Sequence, residues 1–120
     1  MENKLTLQLI SLNCYVSDES DADEVFLKFN HKKIWPVKHH YESMNKGSLP
    51  VSVNIGDLAP DSKIEIELWD YDLLSANDLL GTFRLVADKP GGPFNTDLMP
   101  NKKNSSNARY NLEWQISREG

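Results

Sequence analysis

The sequence predicts an all-β fold, an antiparallel sandwich of seven or eight short strands. Apolar and polar residues alternate over several short segments, turn residues recur at short intervals, and no segment shows the apolar period of a helix. The last strand is the clearest case, with Tyr110, Leu112, Trp114 and Ile116 on one face. Many short strands separated by frequent turns are typical of sandwiches.

Three strands are expected in the first third of the chain. Residues 4–9 alternate strictly, and a change of face between Ile10 and Leu12 predicts a bulge there. Residues 25–29 form the second expected strand. A short strand at residues 34–35 is followed at once by a proline, so we expect it at an edge of a sheet.

The rest of the chain gives three further strands before the last one. Residues 38–47 are polar and are expected to form a connection. Alternation then predicts strands over 51–55 and 63–69, followed by one over 80–86. Glycines and prolines interrupt the pattern from Lys89, and irregular structure is expected up to about residue 107.

Length and composition indicate one soluble module spanning residues 1–120. The chain is 39% apolar and 26% charged, which is ordinary for a globular domain, and 120 residues suit one core rather than two. No apolar run reaches the length of a membrane span, and residues 1–4 lack the apolar stretch of a signal peptide. The lone Cys14 rules out an internal disulfide. We therefore expect a cytoplasmic protein.

The net charge of −5 argues against nucleic acid as a partner, because nucleic-acid binding needs a basic surface. The partners that remain to be considered are a cation, a lipid surface and another protein.

Residues 69–81 are the most informative segment of the chain. A predicted strand runs into Asp70 and Asp72, and side chains two apart in an extended chain point the same way. Ser75 and Asp78 follow along a turn before the next strand. Four oxygen-bearing side chains within nine residues, at a strand end, suit a hard cation such as Ca²⁺.

This segment resembles the third calcium-binding loop of C2 domains, the β-sandwich modules that bind calcium and phospholipid. Their pattern is an aromatic residue, Asp, an aromatic residue, Asp, two variable residues, Ser, two variable residues, Asp, two apolar residues and Gly. Every position is matched here, by Trp69, Asp70, Tyr71, Asp72, Ser75, Asp78, Leu79, Leu80 and Gly81. The resemblance extends more loosely over residues 4–117.

The resemblance implies an eight-stranded C2-like sandwich that binds Ca²⁺ at one end. The implied metal ligands are Asp18, Asp23, Asp70, Asp72 and Asp78, with Ser75 assisting. In C2 domains the first loop ends before a Pro-Tyr-Val-Lys-like strand, and this chain has residues 25–29 there without the proline. Asp18 and Asp23 are the best candidates from that loop, and Asp21 and Glu24 are alternatives to them.

Electrostatics supports a cation between two acidic loops. About five carboxylates would meet within a few ångströms, and each close pair costs on the order of 1 kcal/mol in water-like surroundings. Ca²⁺ accepts flexible oxygen coordination, whereas Mg²⁺ demands a tighter octahedron. The alternative is that the acidic loops are solvated faces, and for residues 18–21 taken by themselves this is the better interpretation. No EF-hand motif is present.

Leu73 and Leu74 lie between the candidate ligands at the tip of the loop. One interpretation is that a leucine folds back as an anchor beneath the loop. The other, implied by the resemblance, is that both enter a membrane once calcium has neutralised the loop. The sequence does not separate these two interpretations.

One basic region accompanies the acidic loops. Its members are Lys28, Lys32, Lys33, Lys38, His39 and His40. In C2 domains a lysine-rich strip meets anionic lipid headgroups, which implies a similar role here. The alternative is a solvated strand edge, where lysines prevent edge-to-edge pairing.

Catalysis is not expected, because the sequence assembles no nucleophile. Cys14 lies near the end of a predicted strand, where a buried small apolar side chain is the usual role. The predicted function is a calcium-binding module that docks to a phospholipid surface, placing it at a membrane periphery, or to an acidic partner. The alternative is a calcium-independent protein-interaction module on the same scaffold.

Overall fold

The computed structural model describes residues 4–17, 22–100 and 108–119 and contains ten strands among them. In chain order they are β1 (Leu5–Val16), β2 (Asp23–Phe29), β3 (Lys32–Trp35), β4 (Glu42–Met44), β5 (Gly47–Leu58), β6 (Ser62–Asp70), β7 (Asp78–Ala87), β8 (Gly91–Asp97), β9 (Met99–Pro100) and β10 (Arg109–Arg118). None of the described residues forms a helix with the length and apolar character needed to cross a bilayer.

The strands form two antiparallel sheets. One has the order β5-β1-β10-β8, and the other has the order β3-β2-β6-β7-β9, with β4 also paired to β2. The predicted all-β antiparallel sandwich is therefore confirmed. The short strand β3 lies at a sheet edge, as the proline after it predicts.

The number of strands differs from the expected eight. The additional strands β4, β8 and β9 lie in the two segments predicted to be irregular. β8 illustrates the reason, because its side chains are almost all exposed while its backbone pairs with β10. A strand held by a neighbour's hydrogen bonds, with no face in the core, leaves no alternating apolar pattern in the sequence.

The core lies between the sheets and is built from the alternating positions. Its fully buried side chains include Leu7, Leu9, Leu12, Val25, Leu27, Ile66, Leu68, Phe83 and Leu112. The register of β1 against both of its neighbours shifts between Leu9 and Ser11, which confirms the predicted bulge. Because of this shift Leu12 and Cys14 return to the core face, and the free Cys14 is buried as expected.

Several chain turns meet at one end of the sandwich, which we call the loop end. β2 begins there, β6 ends there and β7 begins there, because Asp70 pairs with Val25 on one side and with Asp78 on the other. In the opposite sheet, β10 begins at the same end as the last residues of β1, where Cys14 pairs with Tyr110.

Candidate metal site at the loop end

Asp70 is part of the fold as much as of the loop. It is the last residue of β6 and follows Ile64, Ile66 and Leu68 on the core face, so only 5% of it is exposed. Its Oδ1 accepts a hydrogen bond from the backbone N of Glu24 at 2.9 Å. The next backbone N, of Tyr71, donates to the Glu24 carbonyl at 2.7 Å, and these two bonds join the ends of β2 and β6.

Asp23 is fully buried at the start of β2. Its Oδ2 accepts a hydrogen bond of 2.5 Å from the Tyr110 hydroxyl, which belongs to the opposite sheet. Burial, and then the neighbouring Asp23 carboxylate, raise the pKa of Tyr110 well above its ordinary value, so the hydroxyl keeps its proton. Asp23 thus faces the core beside the loop end, supported across the sandwich.

Asp72 is exposed and is bonded within its own loop. Its Oδ1 accepts from the backbone N of Leu74 at 2.9 Å and of Ser75 at 3.2 Å, and its Oδ2 accepts from Ser75 Oγ at 2.7 Å. The Asp72 backbone N donates to Asn77 Oδ1 at 2.8 Å. Hydrogen bonds from Ser75 Oγ and the Leu74 N–H hold the pKa of Asp72 below its ordinary value, because they stabilise the carboxylate.

The remaining candidate ligands have different positions. Asp78 is exposed at the start of β7, paired with Asp70. Asp18 and its alternative Asp21 lie outside the described residues. Glu24, the other alternative, lies on the face of β2 opposite to the buried Asp23 and Val25, and its carboxylate hydrogen-bonds Tyr41 and raises the pKa of that tyrosine.

The described residues do not form a ready-made ligand cluster. No three side chains of His, Cys, Asp or Glu among them lie close enough together to hold one metal ion. Asp23, Asp70, Asp72 and Asp78 nevertheless share the loop end, and their donors are all oxygens, the ligands that Ca²⁺ takes. The calcium site therefore stays a prediction, and its donor chemistry fits that ion.

Both leucines at the loop tip point into solvent. Leu73 is 80% exposed and Leu74 is 94% exposed. Neither packs as an anchor beneath the loop, which was one of the two interpretations of the sequence. Contact of these leucines with a membrane stays a prediction.

The basic region follows β2, the edge strand β3 and the loop after it. Lys28 Nζ lies 4.9 Å from the centre of the Trp69 ring, and Lys33 Nζ donates to the His39 carbonyl. His40 stacks on Tyr71 with ring centres 5.8 Å apart, so the region reaches the base of the candidate calcium loop. Lysines on the edge strand β3 suit the solvated-edge interpretation, and the location beside the loop suits the lipid interpretation.

Sequence reasoning missed two residues of the site. Tyr110 was expected only as a core residue of the last strand, and Asn77 was not singled out. A signal existed for Tyr110, since a buried tyrosine hydroxyl usually finds a hydrogen-bond partner. That partner, Asp23, is 87 residues away along the chain, and no local pattern connects the two.

Comparison with known proteins finds the fold but no closer relative. No protein family model matches the chain, and no curated protein matches it. Among solved structures, a C2 domain of plant extended synaptotagmin 1, the one lettered A, is 13% identical, with a TM-score of 0.63 over 98% of this chain and 94% of that one. A structure described only as a C2 domain is 14% identical, with a TM-score of 0.60 over 98% of this chain and 99% of the other.

A third similar structure is human GIVD cytosolic phospholipase A2, in complex with an inhibitor and terbium chloride. It is 14% identical with a TM-score of 0.57, and the match covers 18% of that protein's length. Identities this low establish the fold and nothing finer. The expected resemblance is thus confirmed at that level, and by its fold this chain is a C2-like domain.

Proposed function

We propose that this domain binds Ca²⁺ at the loop end and that the ion switches on docking to an anionic phospholipid surface or an acidic partner. The observation that carries the proposal is the pair of buried carboxylates, Asp23 and Asp70, on the adjacent strands β2 and β6. Carboxylates held near one another repel, and the repulsion strengthens as water is excluded. A divalent cation beside them removes this repulsion.

The proposed ligands are Asp23, Asp70, Asp72 and Asp78, with Ser75 assisting and Asp18 contributed by the first loop. The exposed Asp72 would exchange some of its hydrogen bonds within the loop for the ion. Ca²⁺ tolerates such rearrangement because it accepts roughly 6–8 oxygens in flexible geometry. Asp23 and Asp70, held by the fold, would give the ion its fixed side.

Docking would use the leucines at the tip of the loop. Two leucines contribute roughly 3–6 kcal/mol if both become fully buried, which supports reversible docking rather than permanent anchoring. Without the ion, the carboxylates beside these leucines oppose approach to an anionic surface. Calcium would remove that opposition, and the basic region near Tyr71 would then add attraction to the headgroups.

The first test is unfolding of the protein in excess EDTA and in millimolar calcium. Calcium at about 100 times its dissociation constant should stabilise the fold by about 2.7 kcal/mol. The Asp72→Asn/Asp78→Asn variant should lose this shift. A matched control, Asp61→Asn/Asp88→Asn, removes the same charge from exposed positions at the opposite end of the sandwich and should keep it. An unchanged transition in the native protein at every calcium concentration would reject calcium binding.

Terbium luminescence gives a second readout of the same site. Trp69 and Tyr71 flank Asp70, so excitation of these rings should sensitise emission from a bound Tb³⁺ ion. Calcium should then reduce the emission by competition. Emission that persists in Asp72→Asn/Asp78→Asn would place the bound ion elsewhere.

Lipid docking is tested by pelleting with phosphatidylserine-containing vesicles in calcium and in EDTA. We expect pelleting only in calcium. Leu73→Ser/Leu74→Ser should reduce pelleting and keep the calcium-induced stabilisation, whereas Val86→Ser, at another exposed apolar side chain, should change neither. Calcium-induced stabilisation without pelleting would leave an acidic protein partner as the target of docking.

A second candidate function is a calcium-independent protein-interaction module. The observation that favours it is the closed bonding of Asp72, whose carboxylate already accepts three hydrogen bonds within the loop. In that case the acids shape the loop and bind no ion. The EDTA experiment separates the candidates, because this one predicts no response to calcium.

A further inference from the structure

We propose that Tyr110 is a positioning residue that holds the Asp23 carboxylate in place for the ion. This inference rests on the proposed function, because it assigns a task to a residue that supports one of the proposed ligands. Tyr110 itself would not touch the ion.

The contact between the two residues crosses the sandwich. Tyr110 belongs to β10 in the four-stranded sheet, and Asp23 belongs to β2 in the other sheet. The hydroxyl reaches Oδ2 of Asp23 at 2.5 Å, and both residues are buried, with 4% and 0% of their surface exposed. Water therefore has little access to this side of the carboxylate, and the tyrosine takes its place as a donor.

The Tyr110 hydroxyl is itself held from a second direction. Cys14 pairs with Tyr110 across β1 and β10, and its buried thiol is hydrogen-bonded to the hydroxyl. A carboxylate is a stronger acceptor than a thiol, so the hydroxyl hydrogen goes to Asp23. With partners on both sides, the hydroxyl has one orientation, and it transmits that orientation to the carboxylate.

Orientation matters because a ligating carboxylate must present an oxygen to the ion at the right angle. A carboxylate has two oxygens and about four acceptor sites, so a bond from Tyr110 to Oδ2 is compatible with ligation. Hydrogen-bond partners of this kind fix the geometry of metal ligands, and their removal typically weakens metal binding by roughly 10–100-fold. Tyr110 has the position and the chemistry of such a partner.

The test uses Tyr110→Phe, which removes only the hydroxyl. Calcium affinity, measured by competition with terbium well below the unfolding temperature, should fall by roughly 10–100-fold. The control is Thr96→Val, which removes the acceptor of the 3.0 Å hydrogen bond from Trp114 Nε1, also on β10. That variant should lose stability and keep its calcium affinity.

A double-mutant cycle separates positioning from general support of the fold. If Tyr110 acts through Asp23, then Tyr110→Phe should have little further effect on calcium affinity once Asp23→Asn is present. Additive losses, or native affinity in Tyr110→Phe, would make the tyrosine purely structural and overturn the inference. Absence of calcium binding by the native protein would instead reject the proposed function, and this inference would fall with it.

A measurement on the native protein covers the case in which Tyr110→Phe does not fold. The chain has four tyrosines, so ring labelling with ¹³C gives four hydroxyl-bearing carbon signals. Variants Tyr15→Phe, Tyr41→Phe and Tyr71→Phe assign the signal of Tyr110 by elimination. Calcium should shift that signal with the same midpoint as the binding curve. A Tyr110 signal that stays constant through saturation would overturn the inference.

Discussion

Asp70 and Asp72 are two residues apart and have opposite environments. Asp70 ends β6 on the core face and accepts a hydrogen bond from the backbone of β2, whereas Asp72 is exposed and bonds to its own loop. Side-chain alternation applies only while the chain is extended, and the strand ends between them. The comparison extends to Asp23, buried like Asp70, and to Asp78, exposed like Asp72. Two acids belong to the framework, and two are placed to respond to a ligand.

The largest effect expected from this comparison is on global stability. In EDTA, Asp23→Ala should lower the free energy of unfolding by about 1–3 kcal/mol, because the buried Tyr110 hydroxyl loses its acceptor. Asp78→Ala should change it by no more than about 0.5 kcal/mol, as expected for an exposed position. Urea unfolding monitored by tryptophan fluorescence measures both.

The control for this pair is Asp23→Asn, which keeps an acceptor oxygen and should lie between the native protein and Asp23→Ala. Equal losses in Asp23→Ala and Asp78→Ala would contradict the division into framework and loop acids.

A smaller and local effect is expected at Asp72. Asp72→Ala should leave global stability within about 0.5 kcal/mol of the native protein. Its consequence should be faster amide hydrogen exchange at Leu74 and Ser75, whose N–H groups donate to Asp72 Oδ1. Asp72→Asn keeps that oxygen and should retain more of the protection. Unchanged exchange at both amides in Asp72→Ala would mean that Asp72 does not organise the loop.

The smallest expected effect is the acid response of the loop. The pKa of Asp72 lies below 3.8, its ordinary value, chiefly because Ser75 Oγ donates to its carboxylate. A folded-state pKa below the unfolded value gives a stabilisation that is complete above pH 3.8 and is lost as the pH falls through the folded pKa. NMR titration of the Asp72 side-chain carbon should show this low midpoint, and Ser75→Ala should move it upward. An unchanged midpoint in Ser75→Ala would remove the serine as its cause.

Most of the framework could be predicted from local pattern. The alternation in β1, β6 and β10 marked their core faces, and the change of face after Leu9 marked the bulge. The segment from Trp69 to Gly81 predicted a strand end, a loop and a strand start in their observed order. These features follow from the two-residue period of a strand, which is written in consecutive residues.

The tertiary structure decided what depends on residues distant in sequence. β8 exists because β10 lies beside it, and the burial of Asp23 depends on a tyrosine 87 residues away. The direction of Asp72 depends on where β6 stops pairing, which its own side-chain pattern does not reveal. The amino-acid sequence by itself determined the strands, the sandwich and the supply of carboxylates at the loop end. Only the packing of the two sheets decided which carboxylates are held fixed, because the hydrogen-bond donors that fix them come from other strands.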